Sequence, residues 1–282
     1  MRWLNGRSNR RCRFSYLADL VTSKFVNKLI LTAHNLLPHD VHAQLDRLYY
    51  ATTFRLASKI IVHSEKAREC LLDTVHIPAD RIEVIPHGDL AVGLPAPIKP
   101  LEARRRIGFH VDYHYVLAFG RLAPYKGYCE LVEFWGRLKT DLVLVLAGEA
   151  TNPEFIADLG RLAEKAGPKV RLLTRRLEEK ELAFLLQGAA CVVFNYTRVF
   201  TSGAACLARS LGVPILLPKR LGTVDLAEPS PLVFRFERLE TDFADRLAAA
   251  VKTPANYEYA EMWRQETAWS RVAEATVRAY KS

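Results

Sequence analysis

Short apolar runs alternate with amphipathic stretches between residues 115 and 217, and this alternation leaves few possible folds. Apolar strands that alternate with helices form parallel βαβ units, so the pattern predicts an open, doubly wound α/β sheet. Because such a sheet binds ligands beyond the carboxyl ends of its strands, we expect residues 120–126, 148–149 and 196–203 on one edge. The predicted strands are 116–119, 142–147, 170–173, 191–194 and 215–217, and the predicted helices are 128–139, 154–166, 178–187 and 203–210.

The loop after the first of these strands carries the strongest functional signal. The apolar run ends at Gly120 and Arg121, and Lys126 stands just before a predicted helix. A helix amino terminus offers free N–H groups and partial positive charge, so two cations beside it suit an anion, with a nucleoside diphosphate as the natural ligand. From these residues alone, a solvated arginine and lysine on a surface loop remains an open alternative.

The first third of the chain contains a second, shorter set of elements. Strands are predicted at 29–33, 59–63 and 82–85, with helices at 41–54 and after Ser64, a plausible N-cap. Three prolines between residues 94 and 100 indicate a linker. We therefore expect a disordered basic start (1–13), a first domain (14–93), a linker (94–111), a second domain (112–268) and a terminal helix (269–282).

Composition and charge limit the class of protein. Half of the 282 residues are hydrophobic, which predicts a sizeable core, and five cysteines without a CxxC pair indicate reduced thiols in a cytoplasmic protein. No apolar run has the ~20 residues of a membrane span, and no signal-peptide core follows the basic start. The formal charge of +9 is compatible with attraction to an anionic membrane face, whereas nucleic-acid binding lacks support because no basic motif interleaved with aromatics appears. For the arginine cluster of residues 1–13, a disordered start without a role is the favoured interpretation.

The order of several segments resembles the GT-B glycosyltransferases, above all the retaining group called glycosyltransferase family 4, over roughly residues 29–282. The segments are LTAHNLLPHD, KIIVHSE, RIEVIPHGD, YVLAFGRLAPYKG, LVLVLAGE, VVFNYTRVFTSGA and LGVPILLP. The resemblance implies two Rossmann-like doubly wound domains, with the terminal helix crossing back to the first. It also implies transfer of a hexose from a nucleotide sugar to a carbohydrate or lipid-linked acceptor, in polysaccharide or glycolipid biosynthesis, with retention.

The first domain is expected to be truncated. Its three predicted strands are fewer than a complete GT-B amino-terminal domain holds, and the family's glycine-rich loop is absent. A fragment, a mis-started reading frame and a natural truncation all remain open.

The resemblance assigns roles to residues of both domains. Gly120, Arg121 and Lys126 would hold the diphosphate, and Glu149 would contact ribose or base. His34, at the end of a predicted strand, would be the catalytic candidate that positions the sugar hydroxyls. Fixed cations let such enzymes work without a metal, which agrees with the absence of a DxD motif; no cofactor is therefore expected.

Other candidates have weaker support. Asn35 and His39 are acceptor-side candidates, while His63 and His87 end predicted strands and are interpreted as structural. Ser202 and Gly203 would contact phosphate at a helix start, with an ordinary helix cap as the alternative.

The chain departs from the family at two positions. The pair of glutamates common in the family would fall at Val199 and Leu207. A non-catalytic nucleotide-sugar-binding remnant or partner protein therefore remains the alternative function. A dinucleotide-dependent oxidoreductase is disfavoured because no GxGxxG follows a predicted strand.

Overall fold

The computed structural model describes residues 21–22, 27–35, 44–110, 112–150, 152–197, 199–221 and 230–282. The predicted basic start, 1–13, lies outside these ranges. Two compact units divide the chain: the first is Met1–His87 with Thr223–Asp225 and Trp269–Ser282, and the second is Gly88–Gly222 with Leu226–Ala268.

The first unit contains a parallel sheet. Its elements are β1 (Ile30–Thr32), α1 (Gln44–Leu56), β2 (Lys59–Val62), α2 (Glu65–Val75) and β3 (Ile82–Val84), and the strands lie in the order β1-β2-β3. The apolar run in β2 explains its central place, because three of its four residues are buried. Ser64 is confirmed as the N-cap of α2, since its hydroxyl accepts from the Ala67 N–H at 3.0 Å.

The carboxyl-terminal helix of the described chain, Trp269–Lys281, belongs to this first unit. Its apolar residues Val272, Ala275 and Ala279 recur at helical spacing and pack against Ile61 and Ile85. The sequence of the helix thus provides one apolar stripe, and that stripe covers the sheet.

The second unit contains the doubly wound sheet. Its elements, in chain order, are α3 (Pro100–Arg106), β4 (Tyr115–Phe119), α4 (Tyr128–Arg137), β5 (Val143–Ala147), α5 (Pro153–Ala166), β6 (Val170–Leu173), α6 (Glu179–Gly188), β7 (Cys191–Val193), α7 (Gly203–Ser210), β8 (Ile215–Pro218), β9 (Val233–Phe236), α8 (Phe243–Lys252) and α9 (Tyr257–Glu266). With Trp269–Lys281 as α10, the numbering follows the chain. The six strands are all parallel, in the order β6-β5-β4-β7-β8-β9. When the strands are numbered from the first strand of this unit, their order is 3-2-1-4-5-6, which is the order of a doubly wound sheet. The predicted α/β class is therefore confirmed.

Three features of the second unit differ from expectation. The sixth strand, β9, was not predicted, because Arg235 breaks its apolar run and only Phe236 is fully buried at the sheet edge. The expected linker 94–111 includes α3, which begins with Pro100 at its first turn and buries Ala103 and Arg104. The described residues 230–268 add two helices that the sequence pattern did not specify, α8 and α9.

The unit boundary follows His87, so residues 88–93 belong to the second unit and not to the expected first domain. The contacts of Asp89 explain why this segment belongs to the second unit. Its backbone N–H donates to the Thr267 carbonyl at 2.8 Å, and its buried carboxylate pairs with Arg264 at 2.9 Å. These contacts hold the segment against α9.

The core of the second unit lies on both sides of its sheet. Trp135 of α4 is fully buried, and its indole N–H donates to the Leu142 carbonyl at 3.1 Å. Tyr115 of β4 is also buried, and its hydroxyl donates to the Leu185 carbonyl at 2.6 Å.

None of the helices in the described ranges combines the length and apolar character needed to cross a membrane.

Candidate functional site

A cleft of about 220 Å³ opens at the carboxyl ends of β4, β5 and β6. Its lining is Phe119, Gly120, Arg121, Ala147, Gly148, Glu149, Arg176, Leu177 and Leu182. The neighbouring strands β4 and β7 lie where the strand order reverses, which is where doubly wound sheets bind their ligands. Residues 120–121 and 148–149 line the same cleft, so these two predicted segments do lie on one edge of the sheet.

Gly120, one of the residues that line the cleft, leaves room beside its backbone for the amine of Lys126. Its φ of +102° lies in the region that favours glycine, and an added Cβ would stand 2.6 Å from Lys126 Nζ. The Gly120 N–H donates to the Ala147 carbonyl at 3.0 Å, which fixes the chain where β4 ends. The glycine therefore lets the amine approach the backbone closely.

Lys126 ends a short 3₁₀ turn, Pro124–Lys126, and only 6 % of it is exposed. Its Nζ lies 5.0 Å from the ring centroid of Tyr196 and 6.0 Å from that of Tyr128, both close enough for cation–π attraction. The amine forms no hydrogen bond or ion pair with any residue that the structure describes. Burial, and secondarily the charge of Arg121, lowers the pKa of Lys126 to about 8.

Two exposed arginines border the cleft. The side chains of Arg121 and Arg176 make no ion pair within the described part of the chain, whereas the neighbouring Arg175 pairs with Glu181. Glu149 is also exposed, and its carbonyl accepts from the Leu122 N–H at 2.8 Å. The edge thus presents one buried and two exposed cations and a single lining carboxylate, a balance that suits an anion.

Hydrogen bonds hold the loop before α4 against the segment after β7. The Asn195 amide donates to the Gly127 carbonyl at 2.9 Å, and the Thr197 N–H donates to the Tyr125 carbonyl at 2.9 Å. Lys126 is thereby positioned by backbone contacts on both sides of it.

Ser202 acts as the N-cap of α7. Its hydroxyl oxygen accepts from the Ala205 N–H at 3.2 Å, and the residue is 7 % exposed. Burial is the main cause that raises the pKa of the Tyr196 phenol, and the Ser202 side chain opposes this rise. The helix-cap interpretation is therefore confirmed for the Ser202 side chain.

In the first unit, the histidine candidates meet at one sheet edge. His34 follows β1 and is exposed, while His63 and His87 are half-buried. The ring centroids of His34 and His63 are 5.0 Å apart, and those of His63 and His87 are 3.9 Å apart. Asn35 is half-buried beside His34, and His39 lies outside the described residues.

Burial lowers the pKa of all three histidines. For His87 it falls to about 4, because burial is reinforced by repulsion from His63 and His34. For His63 burial is again the main cause, opposed by its hydrogen bond to the Ile85 carbonyl, and for His34 burial alone lowers the pKa. The rings are therefore neutral at pH 7.

Sequence reasoning missed two members of the second unit's edge. Arg176 follows β6 and could have been found from the sequence, because the carboxyl ends of all parallel strands lie at the same edge of the sheet. Tyr196 follows β7, and the sequence places it at this edge only as one member of the range 196–203. Its ring contact with Lys126 depends on packing that no spacing rule gives.

Across the described ranges, no group of three or more His, Cys, Asp or Glu is arranged to hold a metal.

The comparisons with known proteins agree on one type of fold. Residues 13–89 match the model described as Glycosyltransferase Family 4. HepE of Anabaena, solved in complex with UDP and glucose, is similar with a TM-score of 0.75 and 17% identity, covering 96% of this chain and 76% of that one. No curated protein matches the sequence.

Two further solved structures agree. Sucrose-phosphate synthase of Thermosynechococcus elongatus has a TM-score of 0.72 at 18% identity, covering 94% of this chain and 70% of its own. A UDP-forming α,α-trehalose-phosphate synthase of Burkholderia xenovorans has a TM-score of 0.68 at 15% identity, covering 96% and 71%. The chain therefore has the GT-B fold of these glycosyltransferases and resembles glycosyltransferase family 4 over residues 13–89.

Proposed function

We propose that the chain is a glycosyltransferase that binds a nucleotide sugar by its diphosphate at the cleft around Gly120 and Lys126. It would transfer a hexose, with retention, to a carbohydrate or lipid-linked acceptor, as in polysaccharide or glycolipid synthesis. One observation carries the proposal: Lys126 is a buried cation without a hydrogen bond or ion pair among the described residues.

A buried ammonium group is costly unless an anion pairs with it. The lowered pKa of Lys126 reflects this cost in the ligand-free protein. A diphosphate carries enough charge to offset it, and Arg121 and Arg176 stand at the exposed border to bind further phosphate oxygens. The site thus matches a ligand with two anionic groups, one beside the buried Lys126 and the other beside the exposed Arg121 and Arg176.

The same cations would assist the reaction. When the bond between sugar and diphosphate breaks, negative charge grows on the β-phosphate, and a fixed cation there stabilises the transition state. The complexes of HepE with UDP and with UDP-glucose support a nucleotide-sugar donor. Metal-independent transfer remains our prediction.

The other candidate residues have more limited roles in this proposal. Glu149, an exposed residue of the cleft lining, would contact ribose or base. Gly203 and Ser202 would add backbone N–H groups toward phosphate at the start of α7. For His34 we propose a hydrogen bond to a sugar hydroxyl, and for Asn35 and His39 a contact with the acceptor.

One observation favours a binding protein without catalysis as the second candidate. Val199 and Leu207 stand where the family resemblance places glutamates, and neither side chain can hydrogen-bond a sugar or ribose hydroxyl. Such a protein would bind the nucleotide sugar through the same cations but would not transfer the sugar.

A thermal-shift screen followed by a transfer assay separates the two candidates. UDP, GDP and ADP are compared with their hexose derivatives; a ligand at ~100 times its dissociation constant adds ~2.7 kcal/mol to the free energy of unfolding. Shifts together with nucleoside diphosphate release in the presence of acceptor support the transferase. Shifts without release support the binding protein, and no shift with any nucleotide contradicts both.

The location is a separate proposal. We propose a cytoplasmic protein attracted to an anionic membrane face by its net charge of +9. Sedimentation with vesicles containing phosphatidylserine, compared with neutral vesicles, would test it.

A further inference from the structure

The end of β8 places two further basic residues on the edge of the second sheet that carries the cleft. Lys219 and Arg220 follow β8 directly, in the 3₁₀ turn Lys219–Leu221. Because the strands of this sheet are all parallel, the residues after β8 lie on the same edge as those after β4. Neighbouring strands are about 4.8 Å apart, and β8 is two strands from β4, so the two ends are separated by about 10 Å.

The two basic residues differ in their partners. Lys219 Nζ lies 2.6 Å from a carboxylate oxygen of Glu237, so the charge of Lys219 is paired. Arg220 is exposed and forms no ion pair with any residue in the described part of the chain. Arg220 is therefore the one of the two that a ligand can use.

A hydrogen bond holds the Arg220 guanidinium group at the end of β7. Its Nε donates to the Tyr196 carbonyl oxygen at 3.3 Å. The ring centroid of the same tyrosine lies 5.0 Å from Lys126 Nζ. Arg220 thus contacts the residue whose ring faces the buried cation of the proposed diphosphate site.

The hydrogen bond through Nε determines how Arg220 can meet a ligand. The two terminal nitrogens of the guanidinium group carry further N–H groups, which form a planar fork directed away from the side chain. Within the described ranges, neither of these nitrogens has a hydrogen-bond partner. Such a fork matches the two oxygens of a carboxylate, which it binds through two parallel hydrogen bonds.

The order of the strands indicates which part of a nucleotide sugar would reach Arg220. The cleft at the ends of β4, β5 and β6 includes the apolar side chains of Phe119, Leu177 and Leu182, which suit a flat nucleobase, and Lys126 suits the diphosphate. The nucleoside and the sugar are attached to opposite ends of the diphosphate. With the base on the side of β5 and β6, the sugar lies on the side of β7 and β8, which is the side of Arg220.

We propose that Arg220 is a specificity-determining residue that favours a donor sugar with a carboxylate, so that a nucleotide hexuronate binds more tightly than the corresponding nucleotide hexose. The proposal rests on the proposed function, because the diphosphate at Lys126 determines where the sugar lies. A hexuronate differs from its hexose at carbon 6, where a carboxylate replaces the neutral hydroxymethyl group. The carboxylate meets the fork of Arg220 with two charged oxygens, whereas the hydroxymethyl group offers one uncharged oxygen.

The substitution Arg220→Gln removes the fork but can keep the contact with Tyr196. The amide nitrogen of glutamine is as many bonds from the backbone as Nε of arginine, so it can still donate to the Tyr196 carbonyl. Lys219→Gln is the matched control, because it also replaces a cation by glutamine, but at a lysine that is paired with Glu237.

Isothermal titration of UDP, UDP-glucose and UDP-glucuronate into the full chain measures the preference. The wild type and Lys219→Gln should bind UDP-glucuronate about 10-fold more tightly than UDP-glucose, the effect of one charge-assisted hydrogen bond. In Arg220→Gln the Kd values of the two nucleotide sugars should become nearly equal, while the Kd of UDP stays the same.

The three ligands separate the possible failures. No preference for UDP-glucuronate in the wild type, or the same preference in Arg220→Gln, would overturn the role of Arg220. Equal weakening of all three ligands in Arg220→Gln would also overturn it, because the arginine would then contact the diphosphate and not the sugar. If the wild type bound none of the three, the proposed function would fail, and the role of Arg220 with it.

Discussion

Replacing Lys126 with methionine should stabilise the ligand-free protein while weakening its binding of a nucleoside diphosphate. Methionine has a similar unbranched shape but no charge, so the substitution removes mainly the desolvated ammonium group. Stability and binding then change in opposite directions, which an ordinary structural lysine would not produce.

The size of the effect follows from the pKa of Lys126. Burial lowers it from 10.5 to about 8; at 1.36 kcal/mol per pKa unit, the charged form in the folded state is disfavoured by ~3 kcal/mol. The cation–π contacts with Tyr196 and Tyr128 offset part of this. We therefore expect Lys126→Met to raise the free energy of unfolding at pH 7 by about 1–3 kcal/mol.

The gain should depend on pH in a defined direction. The folded-state pKa lies below the unfolded one, so the penalty is complete below pH 8 and disappears as the pH rises from 8 to about 10.5, where the amine is neutral in both states. The stability difference between variant and wild type should shrink across this range.

Urea unfolding followed by circular dichroism at pH 7, 8, 9 and 10 measures this difference. Lys139→Met is a matched control, because Lys139 is exposed and its replacement should change stability by less than ~0.5 kcal/mol. A loss of stability in Lys126→Met at pH 7, or a gain of equal size at pH 7 and pH 10, would refute the reasoning.

Four further outcomes are expected. Arg121→Ala should weaken nucleoside diphosphate binding about 10- to 150-fold in calorimetry, the loss of a charge-assisted bond; unchanged affinity would remove Arg121 from the site. Binding should take up a proton above pH 8, because the anion raises the lowered pKa of Lys126; titration heats at pH 9 that do not vary with the buffer's ionisation enthalpy would contradict this. Gly148→Ala should destabilise the fold by more than ~2 kcal/mol, because its Cβ would stand 2.0 Å from the Gly120 carbonyl oxygen at a φ of +151°, whereas Gly160→Ala in α5 meets no atom within 4 Å and should be tolerated. Binding and transfer should survive EDTA, and a loss that magnesium or manganese restores would show that the cations are not the main neutralisers.

Local patterns predicted the part of the site that lies along one stretch of chain. The apolar run of β4, the turn at Gly120 and the start of α4 all follow from neighbouring residues, so the loop carrying Lys126 could be predicted. The alternation of strands and helices also gave the direction of the strands, and with it the edge of the sheet on which Gly148 lies.

Features that depend on packing between distant segments could not be predicted. The cation–π contact of Lys126 with Tyr196 joins the ends of β4 and β7, and no spacing rule specifies it. The edge strand β9 lacks a clear apolar pattern because one of its faces is only half-buried. His63 and His87 were placed at strand ends, but their stacking depends on the register of the first sheet.

The central claim is that the second unit binds a diphosphate at Lys126, and comparing UDP with UMP tests it most directly. Isothermal titration of each nucleotide into the wild type and into Lys126→Met isolates the contribution of the β-phosphate. The account predicts that the wild type prefers UDP by about 10-fold or more and that the variant loses most of this preference. The same preference for UDP in both proteins would contradict it.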